Sequence, residues 1–247
     1  MKMEQMRENK DAEFVKPAHE RIINVSGLKK VFTVGDNLVH GLRGIDLEID
    51  STDFLVIFGP SGCGKSTLLN IISGNDTPSE GKVEIRGMDI FKLNEDERGV
   101  FRSKKMGLIH QLPYWIKSLS VLENVALPLI IEGEKPKFAK EKAIKVMAEI
   151  NITKLAVQRP TQLSGGQQQK VGLARALVSN PWILLADEPT GNLDSTSSDE
   201  MMSLFDMLNR KYKRTIIMVT HNQAYWELGT RCIEMSDGLI TKENKHG

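Results

Sequence analysis

The sequence predicts an α/β fold that carries an antiparallel β subdomain and an inserted α-helical subdomain. Three observations predict it. The apolar run at 53–58 ends in a glycine-rich turn, and those at 182–186 and 215–219 end in polar residues, as buried parallel strands do where a sheet meets a ligand. The stretch Gly59–Thr67, GPSGCGKST, lies between the first of these runs and the helix-like KSTLLNIIS. From about Leu112 to Pro160 there is no long strand, so that section reads as a helical lobe set into an α/β chain.

Taken in order, residues 1–20 are charged, mixed in sign and poor in apolar residues, which predicts a flexible tail. Arg21–Phe32 and Val39–Asp50 read as an antiparallel pair turned at Gly35–Asn37. Lys65–Ser73 is a helix closed by Gly74, and the turn Asp76–Gly81 leads to a short strand at Lys82–Arg86. Asn94–Lys105 predicts an exposed charged helix, followed by a strand at Met106–Ile109. In the lobe, Ser120 and Glu123 form a capping box before the apolar segment Val121–Ile131. Pro136 opens a second helix with Ala139, Ala143, Val146, Met147 and Ile150 on one face. Helices are expected at Gln167–Leu177 and along the face Met201, Leu204, Phe205, Leu208 and Tyr212. Ser236–Gly238 predicts a hairpin turn, and the end of the chain reads as frayed. The expected limits are one domain over 21–241, its core and β subdomain at 21–111 and 161–241, its helical subdomain at about 112–160, and a tail at 242–247.

The chemistry begins at the glycine-rich stretch. Gly59, Gly64, Lys65 and Ser66 fit G-x-x-x-x-G-K-[ST] with a strand before and a helix after. Glycine leaves backbone N–H groups free to face one anion, and the emerging helix adds the positive end of its dipole. Gly59, Pro60, Ser61, Gly62, Cys63, Gly64, Lys65, Ser66 and Thr67 are therefore assigned as a phosphate cradle. Lys65 is expected at the β- and γ-phosphates, the Ser66 hydroxyl on a bound Mg²⁺, and Thr67 on the α-phosphate side.

Other candidates stand at strand ends. Asp187 and Glu188 follow a buried run; Asp187 would hold Mg²⁺, and Glu188 would orient or deprotonate an attacking water. His221 holds the same kind of position and would donate to a γ-phosphate. Gln111 orients water or ligates a metal, or is an ordinary surface glutamine. Ser164, Gly165 and Gly166 before a helix make either a second anion seat or a capped helix with nothing bound. Phe32 either lies against a nucleotide base or is an ordinary sheet aromatic.

Bulk properties exclude some roles. With 33 Lys and Arg against 32 Asp and Glu, a net charge of +1 supplies no strong field toward nucleic acid or anionic lipid. Two cysteines, Cys63 and Cys232, form no disulfide framework or metal spacing, which fits a reducing cytoplasm. No apolar run approaches bilayer-spanning length, so a membrane role would come through a separate partner.

From about Arg21 to Thr241 the chain resembles the nucleotide-binding subunit of an ABC transporter. The resemblance rests on motifs in order: GPSGCGKST, Gln111, LSGGQ at Leu163–Gln167, ILLADE at Ile183–Glu188, GNLDS at Gly191–Ser195, and His221. LSVLENVALPL at Leu119–Leu129 and DEPTGNLDS look most like the lipoprotein-release, macrolide-export and peptide-antibiotic-export branch. The resemblance implies a P-loop NTPase (RecA-like) core and two copies closing head to tail around two ATP molecules. It implies an ATPase with Glu188 as catalytic base, His221 as switch histidine and Gln111 touching Mg²⁺ and water. Ser164, Gly165, Gly166 and Gln167 would face the nucleotide of the other copy, Asp194 would lie between subunits, and Phe32 would stack on adenine in place of a frequent Tyr. Implied partners are a second copy and integral membrane permease subunits at the cytoplasmic face of the cell membrane, with no nucleic acid. The rival readings are an ATPase that drives mechanical signalling through a membrane protein, and one that acts on ribosomes or DNA.

Overall fold

A computed structural model of the chain describes residues 20–245, so the tail expected at 1–20 lies outside the described residues except for Glu20. The elements run β1 (Arg21–Val34), β2 (Asn37–Asp50), β3 (Phe54–Phe58), α1 (Lys65–Ile72), β4 (Glu80–Ile85), β5 (Met88–Asp89), α2 (Glu95–Lys105) and β6 (Met106–Ile109). Next come α3 (Val121–Ile131), α4 (Pro136–Glu149), α5 (Gly165–Leu177), β7 (Ile183–Asp187), α6 (Ser195–Arg210), β8 (Thr215–Thr220), β9 (Arg231–Ser236) and β10 (Leu239–Lys245).

Two sheets organise these elements. One is antiparallel, in the order β2-β1-β4-β5; the other has the order β10-β9-β3-β8-β7-β6. In the second, β9, β3, β8, β7 and β6 are parallel and only the β10 edge is antiparallel. Its inner strands β3, β7 and β8 are apolar through their length up to the strand ends because both faces are covered. Leu55, Ile57, Ile183, Leu185, Ile217 and Val219 join one buried cluster with α1 and the antiparallel sheet. Their neighbours Val56, Leu184, Ala186, Ile216 and Met218 join the other, with α3, α4, α5 and α6. The alternation follows from the two-residue period of a strand.

The helical lobe forms as expected: Ser120 and Glu123 complete a capping box on α3, and Ala139, Ala143 and Met147 bury the inner face of α4. Several boundaries differ from the sequence reading; β1 and β2 run two residues further toward their turn, and β4 starts at Glu80 inside the expected turn. Helix α5 starts at Gly165, with Ser164 as its N-cap, so both glycines belong to its first turn. The tail expected at 242–247 is strand β10 as far as Lys245, with Glu243, Asn244 and Lys245 paired to Ile233, Cys232 and Arg231. Its exposed polar residues carry no strand signal of their own. The hydrogen-bonding edge of β9 supplies it.

Candidate active site

Four parallel strands end on one edge, and each carries a candidate residue just past its last pair. The register sets Phe58 beside Thr220, Asp187 beside Val219, and Ile109 beside Ala186. The phosphate loop, Asp187–Glu188, His221 and Gln111 therefore share the carboxyl edge, where open α/β sheets bind ligands.

The loop is closely built. Gly59 has φ +156, and a Cβ there would meet the Met235 carbonyl oxygen at 2.2 Å and Cys63 Sγ at 2.8 Å. Gly64 has φ +104, with the Gly41 carbonyl oxygen 2.5 Å from where its Cβ would stand. Any larger residue at either place would push the loop off the sheet. The β9–β10 hairpin braces it, since the Gly238 N–H donates to the Cys63 carbonyl at 3.0 Å. Pro60, Ser61 and Gly62 form the exposed crest, while Cys63, Gly64 and Lys65 are buried. The Lys65 ammonium donates to the carbonyls of Gly59 at 2.8 Å and Pro60 at 2.9 Å, which stations the charge in the loop.

Around the loop, the Ser66 hydroxyl donates to Asp187 Oδ1 at 2.9 Å, joining two oxygen donors from α1 and β7. Nδ1 of His221 lies 2.6 Å from Glu188 Oε2. The sequence reading aimed His221 at a phosphate; with Nδ1 engaged, Nε2 is the nitrogen left to do so. Glu188 has φ +49 and its N–H donates to the Val219 carbonyl at 2.9 Å, so β8 holds an unfavourable backbone angle in place. Glu188, Thr190, Leu193, Thr220, His221 and Asn222 line a cleft of about 350 Å³. Gln111 is exposed, and its Nε2 approaches within 2.9 Å of the Cβ position at Gly191. Phe32 and Thr67 both flank Gly41, at 2.7 and 3.6 Å from its Cβ position, so the aromatic ring stands beside the first turn of α1.

The Ser164 turn, the candidate second anion seat, is open to solvent on its outer side: Ser164 and Gly165 are exposed. The Ser164 Oγ accepts from the Gln167 N–H at 3.3 Å, and Gln167 Oε1 accepts from the Ser164 N–H at 3.1 Å. Gly166 packs on Ser197 of α6, whose Oγ lies 2.5 Å from the glycine's Cβ position. Asp194 caps α6 by accepting from the Ser197 N–H and hydroxyl, both at 2.9 Å; these bonds hold its carboxyl below the usual range. Ser164 and Asp194 thus stand on adjoining helix N-termini. Sequence reasoning missed the hairpin brace, because a turn motif says nothing of what the turn touches.

This fold and this edge define a nucleotide-hydrolysing cassette with a phosphate loop. Residues 42–191 match the ABC transporter family. The chain is 42% identical over 221 residues to the uncharacterized ABC transporter ATP-binding protein MJ1508 of Methanocaldococcus jannaschii, covering 90% of this chain and 98% of that one. It is 37% identical over 229 residues to the lipoprotein-releasing system ATP-binding protein LolD of Pseudoalteromonas translucida, covering 92% and 99%. Among solved structures it resembles the dimeric ATP-binding cassette MJ0796 in a post-hydrolysis state bound to ADP and phosphate, with TM-score 0.84, 37% identity and coverage of 92% and 100%. The chain belongs to the ABC transporter family as an ATP-binding, ATP-hydrolysing subunit near the lipoprotein-release and macrolide-export branch.

Proposed function

We propose that two copies of this chain close head to tail around two ATP molecules and so drive separate membrane permease subunits from the cytoplasmic face of the cell membrane. The observation that carries it is the placement of two anion seats on different parts of one chain. Helix α1, behind the phosphate loop, packs on β2, β7 and β8, whereas α5, behind Ser164, packs on α3, α4, α6 and β6. A second copy turned end for end brings its exposed Ser164 turn to the nucleotide held by Lys65. Among the described residues no helix is long and apolar enough to cross a membrane; in this reading the permease subunits are separate chains. Exposed Leu112, Tyr114 and Ile116 in the lobe offer that chain an apolar surface.

Within each site Lys65 and the loop amides bind phosphate, Glu188 takes the proton of the attacking water, and His221 holds Glu188. Gln111 orients that water, Phe32 stacks on adenine, and Asp194 lies against the second copy. The paired oxygens of Ser66 and Asp187 suit Mg²⁺, a hard ion that prefers oxygen donors and keeps phosphate ligands, and Gln111 is a further candidate ligand. When bound, the ion neutralises charge on the phosphates.

Mixing two inactive variants tests the arrangement. Lys65→Ala and Ser164→Phe each spoil both sites of their own dimers. In a mixed dimer both defects fall on one site and the other is intact. Equal mixing should restore turnover that neither variant shows alone, roughly a quarter of wild type if the chains pair at random and up to half if only mixed dimers form, since each mixed dimer has one working site. A mixture no faster than its components would refute the two-chain site.

A further inference from the structure

Three consecutive glutamines open α5, at 167, 168 and 169. Successive helical residues point about 100° apart, so a run of one polar type serves three directions. Gln167 closes the cap on Ser164. The Gln168 amide bridges two segments: its Nε2 donates to the Leu163 carbonyl at 3.2 Å, and its Oε1 accepts from the Trp115 indole N–H at 3.0 Å. Gln169, only 2% exposed, donates from Nε2 to the His110 carbonyl at 2.9 Å. The three side chains therefore reach the Ser164 turn, the 113–116 segment and the residue before Gln111.

The rest of the helix face repeats the grip. Residues 168, 172 and 175 share one face by their i, i+4, i+7 spacing. Gly172 leaves room for Pro113, which lies 3.7 Å from its Cβ position. The Arg175 guanidinium stacks 4.4 Å from the Trp115 ring centre and donates to the Tyr114 carbonyl. At the far end Asn124 of α3, fully buried, accepts from the Ile116 N–H at 3.0 Å and donates to its carbonyl at 3.1 Å.

We infer that Gln168 and Gln169 are positioning residues that yoke the segment carrying Gln111 to the Ser164 turn, so that the two move as one body. The inference rests on the two-chain site proposed above. Through the yoke, docking of Ser164 on the neighbour's nucleotide sets the place of Gln111 in its own chain's site. The seat that senses one ATP is tied to the side chain that serves the other.

A double-mutant cycle on ATP hydrolysis by the full chain tests it. Trp115→Phe removes the donor of one bond; Gln168→Met removes its acceptor together with the bond to the Leu163 carbonyl. Each should lower kcat about fivefold or more, the scale of one net hydrogen bond, with KM for ATP close to wild type and no greater thermal destabilisation than the loss of such bonds gives. The double variant should be no slower than Gln168→Met. Additive losses, or a melting temperature that falls while kcat holds, would overturn the yoke. Gln169→Met should also lower kcat at constant KM; loss of thermal stability alone would reduce Gln169 to packing. If the Lys65→Ala and Ser164→Phe mixture stays inactive, the two-chain site fails whatever the cycle gives. An additive cycle beside a restored mixture removes the yoke alone.

Discussion

At the scale of the residue, Glu188 concentrates the chemistry. Its backbone sits at φ +49, pinned by Val219, and its carboxylate meets His221 at 2.6 Å. Such an angle in a residue other than glycine is kept where the surroundings force it, and here they aim an acid at the carboxyl edge. On the proposed mechanism Glu188→Gln keeps the shape and loses the base. Phosphate release should slow about a hundredfold or more, while nucleotide titration gives unchanged affinity. Turnover near wild type would remove Glu188 from the proton-transfer role. The residue types of this site were legible because strand ends and a glycine pattern announce them. Ser66 and Asp187, 121 positions apart, were foretold to meet through a shared Mg²⁺. The brace of Gly238 on Cys63 was not, because it comes from the order of strands, which residue spacing does not encode.

At the scale of the element, caps were the readable signal and edges the unreadable one. Ser120–Glu123 marked the start of α3 because a hydroxyl and a carboxylate at that spacing satisfy orphan N–H groups wherever they occur. The hairpin turn at Ser236–Gly238 foretold a strand after it, but the reach of β10 past Thr241 was missed because its polar end pairs by borrowing the edge of β9, a contact its own residues do not advertise. The cap also carries a pH dependence. The Ser120 N–H, Lys140 and the Ser120 hydroxyl hold the Glu123 carboxyl down at about 2, from an ordinary value of 4.5. A depressed carboxyl stabilises the fold above its unfolded pKa, and that contribution is lost as pH falls through the folded value. Glu123→Gln should therefore melt below wild type at pH 7, with the gap closing between about 4.5 and 2. Thermal denaturation of both proteins across that range checks it. A gap independent of pH would mean that shape, not charge, is what Glu123 contributes.

At the scale of the whole molecule, the sequence foretold the layers because both faces of each central strand are apolar, whereas the order β10-β9-β3-β8-β7-β6 had to come from the structure. That order brings four strand ends to one edge and leaves the Ser164 turn on a helix packed elsewhere. On the proposed two-chain arrangement a single chain holds two half-sites, and its turnover then depends on meeting another. Well below the dimer dissociation constant, the rate of ATP hydrolysis should rise with the square of chain concentration, becoming linear only when dimers dominate. Glu188→Gln should run as a dimer in size-exclusion chromatography when ATP is present and return to a smaller species without it. Adding Ser164→Phe should abolish that dimer while leaving nucleotide bound, because the phosphate loop of each chain remains whole. Rates strictly proportional to concentration from the lowest dilution, with a monomer on the column throughout, would mean that one copy completes its own site.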